Sequence, residues 1–145
     1  MSAAPDPATA LLELWAIPPD QRPDPVATFG AVYTDPVLIN GRHVSLVDLV
    51  QRARELHQAF ADLSTELVDR VQTHEKLAIA FRQSGRHVGT WRTALGEVPA
   101  TGRTVYGIGI DILTITNGRI SEIWVLADEL QRLLQVEAVG LVPPS

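Results

Sequence analysis

The stretch Gly85–Asp128, GRHVGTWRTALGEVPATGRTVYGIGIDILTITNGRISEIWVLAD, decides the fold of this chain. Arg103–Thr116 and Arg119–Leu126 read as two strands, joined at Asn117-Gly118, a dipeptide that accepts the positive φ of a tight hairpin turn. Asp111 stands inside the first strand among isoleucines and Leu113. A carboxylate there must be hydrogen-bonded, paired with a base such as Arg86 or Arg103, protonated, or exposed to a water-filled cavity. The last two readings carry chemistry, and they make Asp111 the candidate acid/base residue of a small-molecule pocket.

The same strand is apolar on both faces, with Tyr106, Ile108, Ile110 and Ile112 on one and Val105, Leu113 and Ile115 flanking Asp111 on the other. An antiparallel sheet with one solvated face should alternate cleanly. The excess predicts a homodimer, with Ile112 and Trp124 at the interface.

Upstream, period-two alternation marks strands at Ser64–Gln72 and Lys76–Gln83, turning near Thr73–Glu75, and a further strand at Arg86–Arg92. Pro99–Gly102 is a turn, and Thr93–Ala100 reads as a loop long enough to raise the question of a lid. The clearest helix, SLVDLVQRARELHQAFADL, starts at Ser45 as N-cap, with Asp48 three residues on and apolar residues at helical spacing. Nearer the start, residues 1–7 are expected to fray. A helix over Ala8–Ala16 follows, capped by Asp6 or Thr9, then a helix from Pro25 to Phe29, an extended segment Ala31–Val37 and a turn at Asn40-Gly41. A last helix covers Asp128–Gln135. Helices first and a strand meander afterwards predict one α+β domain over residues 1–145, with helices on one face of a curved antiparallel sheet.

With 12 basic residues against 17 acidic ones and no basic stripe, nucleic acid is not an expected partner. The absence of cysteine excludes disulfides and thiolate metal sites, and no HxH or HxxxH pair offers a histidine metal site, so neither metal nor cofactor is expected. The N-terminus lacks a basic region followed by an unbroken apolar run, and no stretch is long enough to span a bilayer; a cytoplasmic, membrane-free protein is the default expectation.

GRHVG at 85–89, PATGR at 99–103, GIDILTI at 109–115 and NGRISEIW at 117–124 together resemble the SnoaL-like polyketide cyclases of the nuclear transport factor 2-like superfamily. The resemblance implies a cone-shaped sheet wrapped around helices and cofactor-independent acid/base chemistry on a hydrophobic, oxygenated small molecule, by cyclisation or isomerisation. Epoxide opening and non-catalytic ligand binding are the alternatives the fold also hosts. In aldol cyclases of this family an aspartate follows the final-strand motif, and a histidine occupies the position matching Asp111. Here the sequence reads Ile123-Trp124-Val125, so Val125 stands at the position of the cyclase aspartate. Asp35-Pro36-Val37 is similar to the segment carrying the general base of ketosteroid isomerases, which keep a protonated aspartate near the position of Asp111. The expected catalytic set is therefore Asp111, His87 and Asp35. Tyr33, Asn40, Trp91, Leu113 and Val125 are the expected substrate contacts.

Overall fold

The computed structural model describes residues 6–145. Asp6 caps the first helix by accepting the Thr9 N–H at 3.2 Å, and α1 runs Pro7–Ala16 with Leu11 and Leu14 buried. Asp6 is also gripped by both terminal nitrogens of Arg70, each at 2.8 Å. The expected fraying of residues 1–7 is thus corrected at Asp6 and Pro7; residues 1–5 fall outside the described residues. A short 3-10 helix, Pro19–Gln21, leads to α2, Pro25–Gly30, whose cap Asp24 accepts the Ala27 N–H at 3.1 Å.

Strand β1 (Tyr33–Ile39) turns through Asn40 and Gly41, at φ 49° and 82°, into β2 (Arg42–Val44), a strand the sequence pattern did not resolve from its turn. Ser45 then caps α3, Leu46–Ala59. The helix ends earlier than its periodicity through Leu63 indicates. From Phe60 the chain is paired with the next strand, Phe60 to His87 and Ala61 to Arg86, and this tertiary ladder overrides the helical propensity of the AFADL segment.

The ladder makes β3 (Phe60–Gln72) and β4 (Lys76–His87) longer than their alternation alone implied. Residues 86–87 belong to β4, so the separate strand expected at Arg86–Arg92 is corrected. The chain breaks at Val88 and Gly89, both of whose N–H groups go to the Ala59 carbonyl, and resumes as β5 (Trp91–Thr93). This pairs with β6 (Gly96–Val98) as a small hairpin within the segment read as a loop. Beyond it, β7 (Thr104–Thr116) and β8 (Arg119–Ala127) flank the expected Asn117-Gly118 turn, at φ 51° and 79°. Asp128 caps α4, Glu129–Gln135, through the Gln131 N–H at 3.2 Å.

The fold is α+β. Its main sheet has the order β2-β1-β8-β7-β4-β3, and it is mixed, not purely antiparallel: β1 runs parallel to β8, with Leu38 beside Glu122 and Ile39 beside Ile123. The two strands meet across most of the chain's length, a pairing that no local turn signal announces. Leu77, Ile79, Phe81 and Gln83 of β4 share one face with Leu113, Asp111, Gly109 and Gly107, their partners on β7. Helices α1 to α3 cover that face and close a core that includes Leu14, Phe29, Val37, Leu49, Leu77 and Leu113. A second cluster, built on Phe60, Trp91, Val105, Leu133 and Val136, fills the other end.

Candidate active site

A cavity of about 300 Å³ opens between the helices and the concave face of the sheet. Leu11, Leu12 and Trp15 of α1, Leu49 and Leu56 of α3, and Phe81, Ile123 and Val125 of the sheet give it an apolar wall. Its polar inventory is short: Tyr33, Thr65, Gln83, Asp111, Arg52 and Arg132. That composition, apolar with a few oriented polar groups, is the one a small-molecule site needs. A larger depression of about 690 Å³ runs past Ser64, Tyr106 and Gln131, but its charged groups Glu66, Arg82 and Asp128 are all exposed.

Asp111 is 8% exposed, and its Oδ1 is buried without a hydrogen-bond partner. Burial pushes its carboxyl up from 3.8 to about 6. Neither arginine considered as a partner is near: Arg86 pairs with Asp62 at 3.2 Å and Arg103 with Glu137 at 3.0 Å. Of the four fates open to a carboxylate in this strand, the structure leaves the cavity-facing one, with a proton held more tightly than usual.

Tyr33 lines the same cavity and is otherwise fully buried. Its hydroxyl oxygen accepts the Trp15 indole N–H at 2.7 Å, which leaves its own proton free to be donated. Burial, reinforced by the Asp111 charge, drives the phenol well above its ordinary value, so this donor does not ionise. Val125 also faces the cavity and stands directly opposite Asp111 in the β7–β8 ladder.

The remaining expected residues lie elsewhere. His87 is fully buried in the second cluster, tilted over Phe60 at 5.4 Å and edge-on to Trp91 at 5.9 Å. Its Nδ1 bonds the Thr101 hydroxyl at 3.0 Å, its Nε2 has no partner, and it does not line the cavity. Trp91 belongs to that cluster too, and Leu113 is buried in the main core. Asp35 is exposed, and its carboxylate accepts the Leu46 N–H at 3.2 Å at the start of α3. Asn40 spends its amide on the Val125 backbone, donating to its carbonyl at 3.1 Å and accepting its N–H at 2.8 Å. It therefore fixes the strand that carries Val125 and is itself exposed. The expected trio of Asp111, His87 and Asp35 is not brought together.

The sequence reading missed Arg132. Burial lowers its pKa, and its guanidinium lies against the inward face of Gly107, where any Cβ would collide with it. Gly107 and Gly109 are the seats of two side chains, the Arg132 guanidinium and the Phe81 ring. A glycine inside an isoleucine-rich strand was the available signal that something packs there.

A curved mixed sheet closed by helices around an apolar cavity with an inward carboxylate is the cone-shaped, nuclear transport factor 2-like fold. The family model for SnoaL-like polyketide cyclases matches residues 8–136, and the chain belongs to that family. Solved structures agree in fold. TsrD from Streptomyces laurentii is 24% identical, with a TM-score of 0.76 over 92% of this chain and 93% of its own. A SnoaL-like polyketide cyclase from Agrobacterium tumefaciens is 19% identical, with a TM-score of 0.73 over 94% and 99%. IdmH from Streptomyces antibioticus, a proposed polyketide cyclase, is 20% identical, with a TM-score of 0.72 over 91% and 96%. No curated protein matches the sequence. No helix of the described residues is long and apolar enough to cross a membrane.

Proposed function

We propose that the protein is a cofactor-independent acid/base enzyme of the polyketide cyclase type, in which Asp111 moves the proton. The supporting observation is the cross-strand pairing of Asp111 with Val125. Side chains directly opposite on neighbouring strands have Cβ atoms about 5 Å apart. A carboxylate on β7 therefore reaches the space that the family's aspartate, at the position of Val125, serves from β8. On this reading the carboxylate serves the same cavity from one strand over.

In this reading ionised Asp111 takes a proton from a carbon next to a carbonyl, and the C–H electron pair forms the new double bond while charge collects on the oxygen. The Tyr33 hydroxyl donates to that oxygen. The resulting enolate attacks a second carbonyl within the substrate, closing a ring as that carbonyl's π pair moves to its oxygen and the proton held by Asp111 passes to the new alkoxide, or it takes the proton back from Asp111 at another carbon. With a pKa of about 6, Asp111 is mostly ionised at neutral pH yet a stronger base than an ordinary aspartate. His87 and Asp35 take no part, since neither lines the cavity.

The test needs no knowledge of the natural substrate. In deuterated water the protein should speed incorporation of deuterium at the α-carbon of α-tetralone, a bicyclic ketone, with a rate that rises with pH through about 6. Asp111→Asn should lose on the order of a hundredfold or more of that catalysis. Exchange by Asp111→Asn at the wild-type rate would sink the proposal.

The protein further self-associates, in this proposal, through the convex face of the sheet. Tyr106, Ile108, Ile110 and Ile112 of β7 and Trp124 and Leu126 of β8 all lie exposed there as one apolar stripe. A second copy of the same stripe is its own best complement.

A further inference from the structure

We propose that the molecule bound in the cavity is an anion, a hydrophobic carboxylic acid, whose carboxylate pairs with Arg132. This deepens the acid/base reading of the same cavity and rests on it.

Arg132 is only half-exposed, yet no carboxylate among the described residues is in ion-pair contact with it; the acids that bear on it electrostatically are Glu129 and Asp128, both exposed on its own helix or at that helix's cap. The Asp128 carboxylate is already committed to the Gln131 N–H. A desolvated, unpaired guanidinium is costly, and the cost is recovered when a bidentate acceptor arrives.

The guanidinium is also held in readiness. Strand β8 ends opposite Gly109, which leaves the edge of β7 open at Tyr106. The Gln135 amide closes that edge, accepting the Tyr106 N–H and donating to the Tyr106 carbonyl, each at 2.8 Å. Arg103 adds a bond to the Gln135 carbonyl at 2.9 Å. Helix α4 is thereby fixed against β7 one residue from Gly107, whose missing side chain is the space the guanidinium fills.

The charge balance of the cavity points the same way. Two arginines line it, Arg132 and the exposed Arg52, against the single carboxylate of Asp111, so the lining stays net positive even with Asp111 ionised. A neutral ligand would leave Arg132 unpaired, and a cationic one would meet two like charges. The apolar wall between Trp15 and Leu56 takes the rest of the molecule.

The probes are 2-naphthoate and 2-naphthamide, the same bicycle with and without the charge. Their affinities are measured by titration calorimetry at pH 8 on the wild-type protein and on Arg132→Gln, Gly107→Ala and Asp111→Asn. The wild type should prefer the acid by roughly tenfold or more, the discrimination a charge-assisted pair supplies. Arg132→Gln should lose that preference while still binding the amide, which reports an intact cavity. Gly107→Ala, which leaves the arginine in the chain but takes its seat, should weaken the preference too. Asp111→Asn, which removes the cavity's one carboxylate, should strengthen it. Equal affinity for acid and amide, no saturable binding of the acid, or a preference that survives in Arg132→Gln would each overturn the inference. The two readings fail separately: loss of catalysis in Asp111→Asn with no acid preference in the wild type would uphold the base and remove the anion.

Discussion

Asp111 couples the site to the stability of the molecule. Its carboxyl is raised from 3.8 to about 6, so the folded state holds a proton that the unfolded state has already released between those values. Stability from this group is therefore present at low pH and falls as pH rises through the folded value, by up to about 3 kcal/mol. Asp6 acts in the opposite sense: Arg70 holds its carboxyl down at about 2, so its contribution is present above its ordinary value and is lost as acid protonates it. Urea titrations of the wild type and Asp111→Asn should separate the two. The variant should lack the decline between about pH 4 and 7 and should gain stability relative to wild type as pH rises. A parallel pH dependence for both proteins would contradict the buried, unpaired carboxylate. This residue was legible in the sequence because an aspartate among isoleucines has few fates. Arg132 was not, because it lies on a short helix whose docking depends on Gln135 finding the open edge of β7, a contact with no sequence signal. His87 misled for a related reason: a histidine on a strand facing inward reads the same whether it meets a cavity or the rings of Phe60 and Trp91.

At the scale of elements, the hairpin of β7 and β8, the cap at Ser45 and the last helix follow from local chemistry, and each is found close to where the sequence puts it. What escaped is what depends on distant partners: the end of α3 at Ala59, the parallel meeting of β1 with β8, and the β5–β6 hairpin, only three residues a side. The start of α1 belongs with these. Its cap is a local signal, but the Arg70 clamp that ties Asp6 to β3 comes from 64 residues away. The consequence is measurable, because α1 supplies Leu11, Leu12 and Trp15 to the cavity wall. Asp6→Ala should cost about 1 kcal/mol for the cap and up to about 1 kcal/mol for a pair this exposed, while Asp6→Asn should keep the cap and lose only the pair. The check is the denaturation midpoint of the two variants. Equal midpoints for wild type and Asp6→Ala would mean that α1 is held by its buried face alone.

For the molecule as a whole, the two faces of the sheet divide the work. The concave face spends its side chains on the core and the cavity, which leaves the convex face free of any duty to the fold. Its apolar stripe needs another reason to exist. Tyr106, Ile108, Ile110 and Ile112 are between 45% and 63% exposed, with Trp124 at 51% and Leu126 at 78% beside them. A run of isoleucines on a solvated strand carries an aggregation cost, and burying it against an identical stripe related by a two-fold axis removes that cost without leaving an open-ended interface. Such a dimer would also stiffen β7, the strand that carries both Asp111 and the seat of Arg132, so the proposed association and catalysis should be linked. The protein should sediment as a dimer at micromolar concentration. Ile110→Lys combined with Trp124→Glu should sediment as a monomer with an unchanged far-ultraviolet circular dichroism spectrum, since both side chains point away from the core. Deuterium exchange into α-tetralone by that monomer should be slower than by the dimer. A wild-type protein that is monomeric at those concentrations would leave the stripe without its proposed partner.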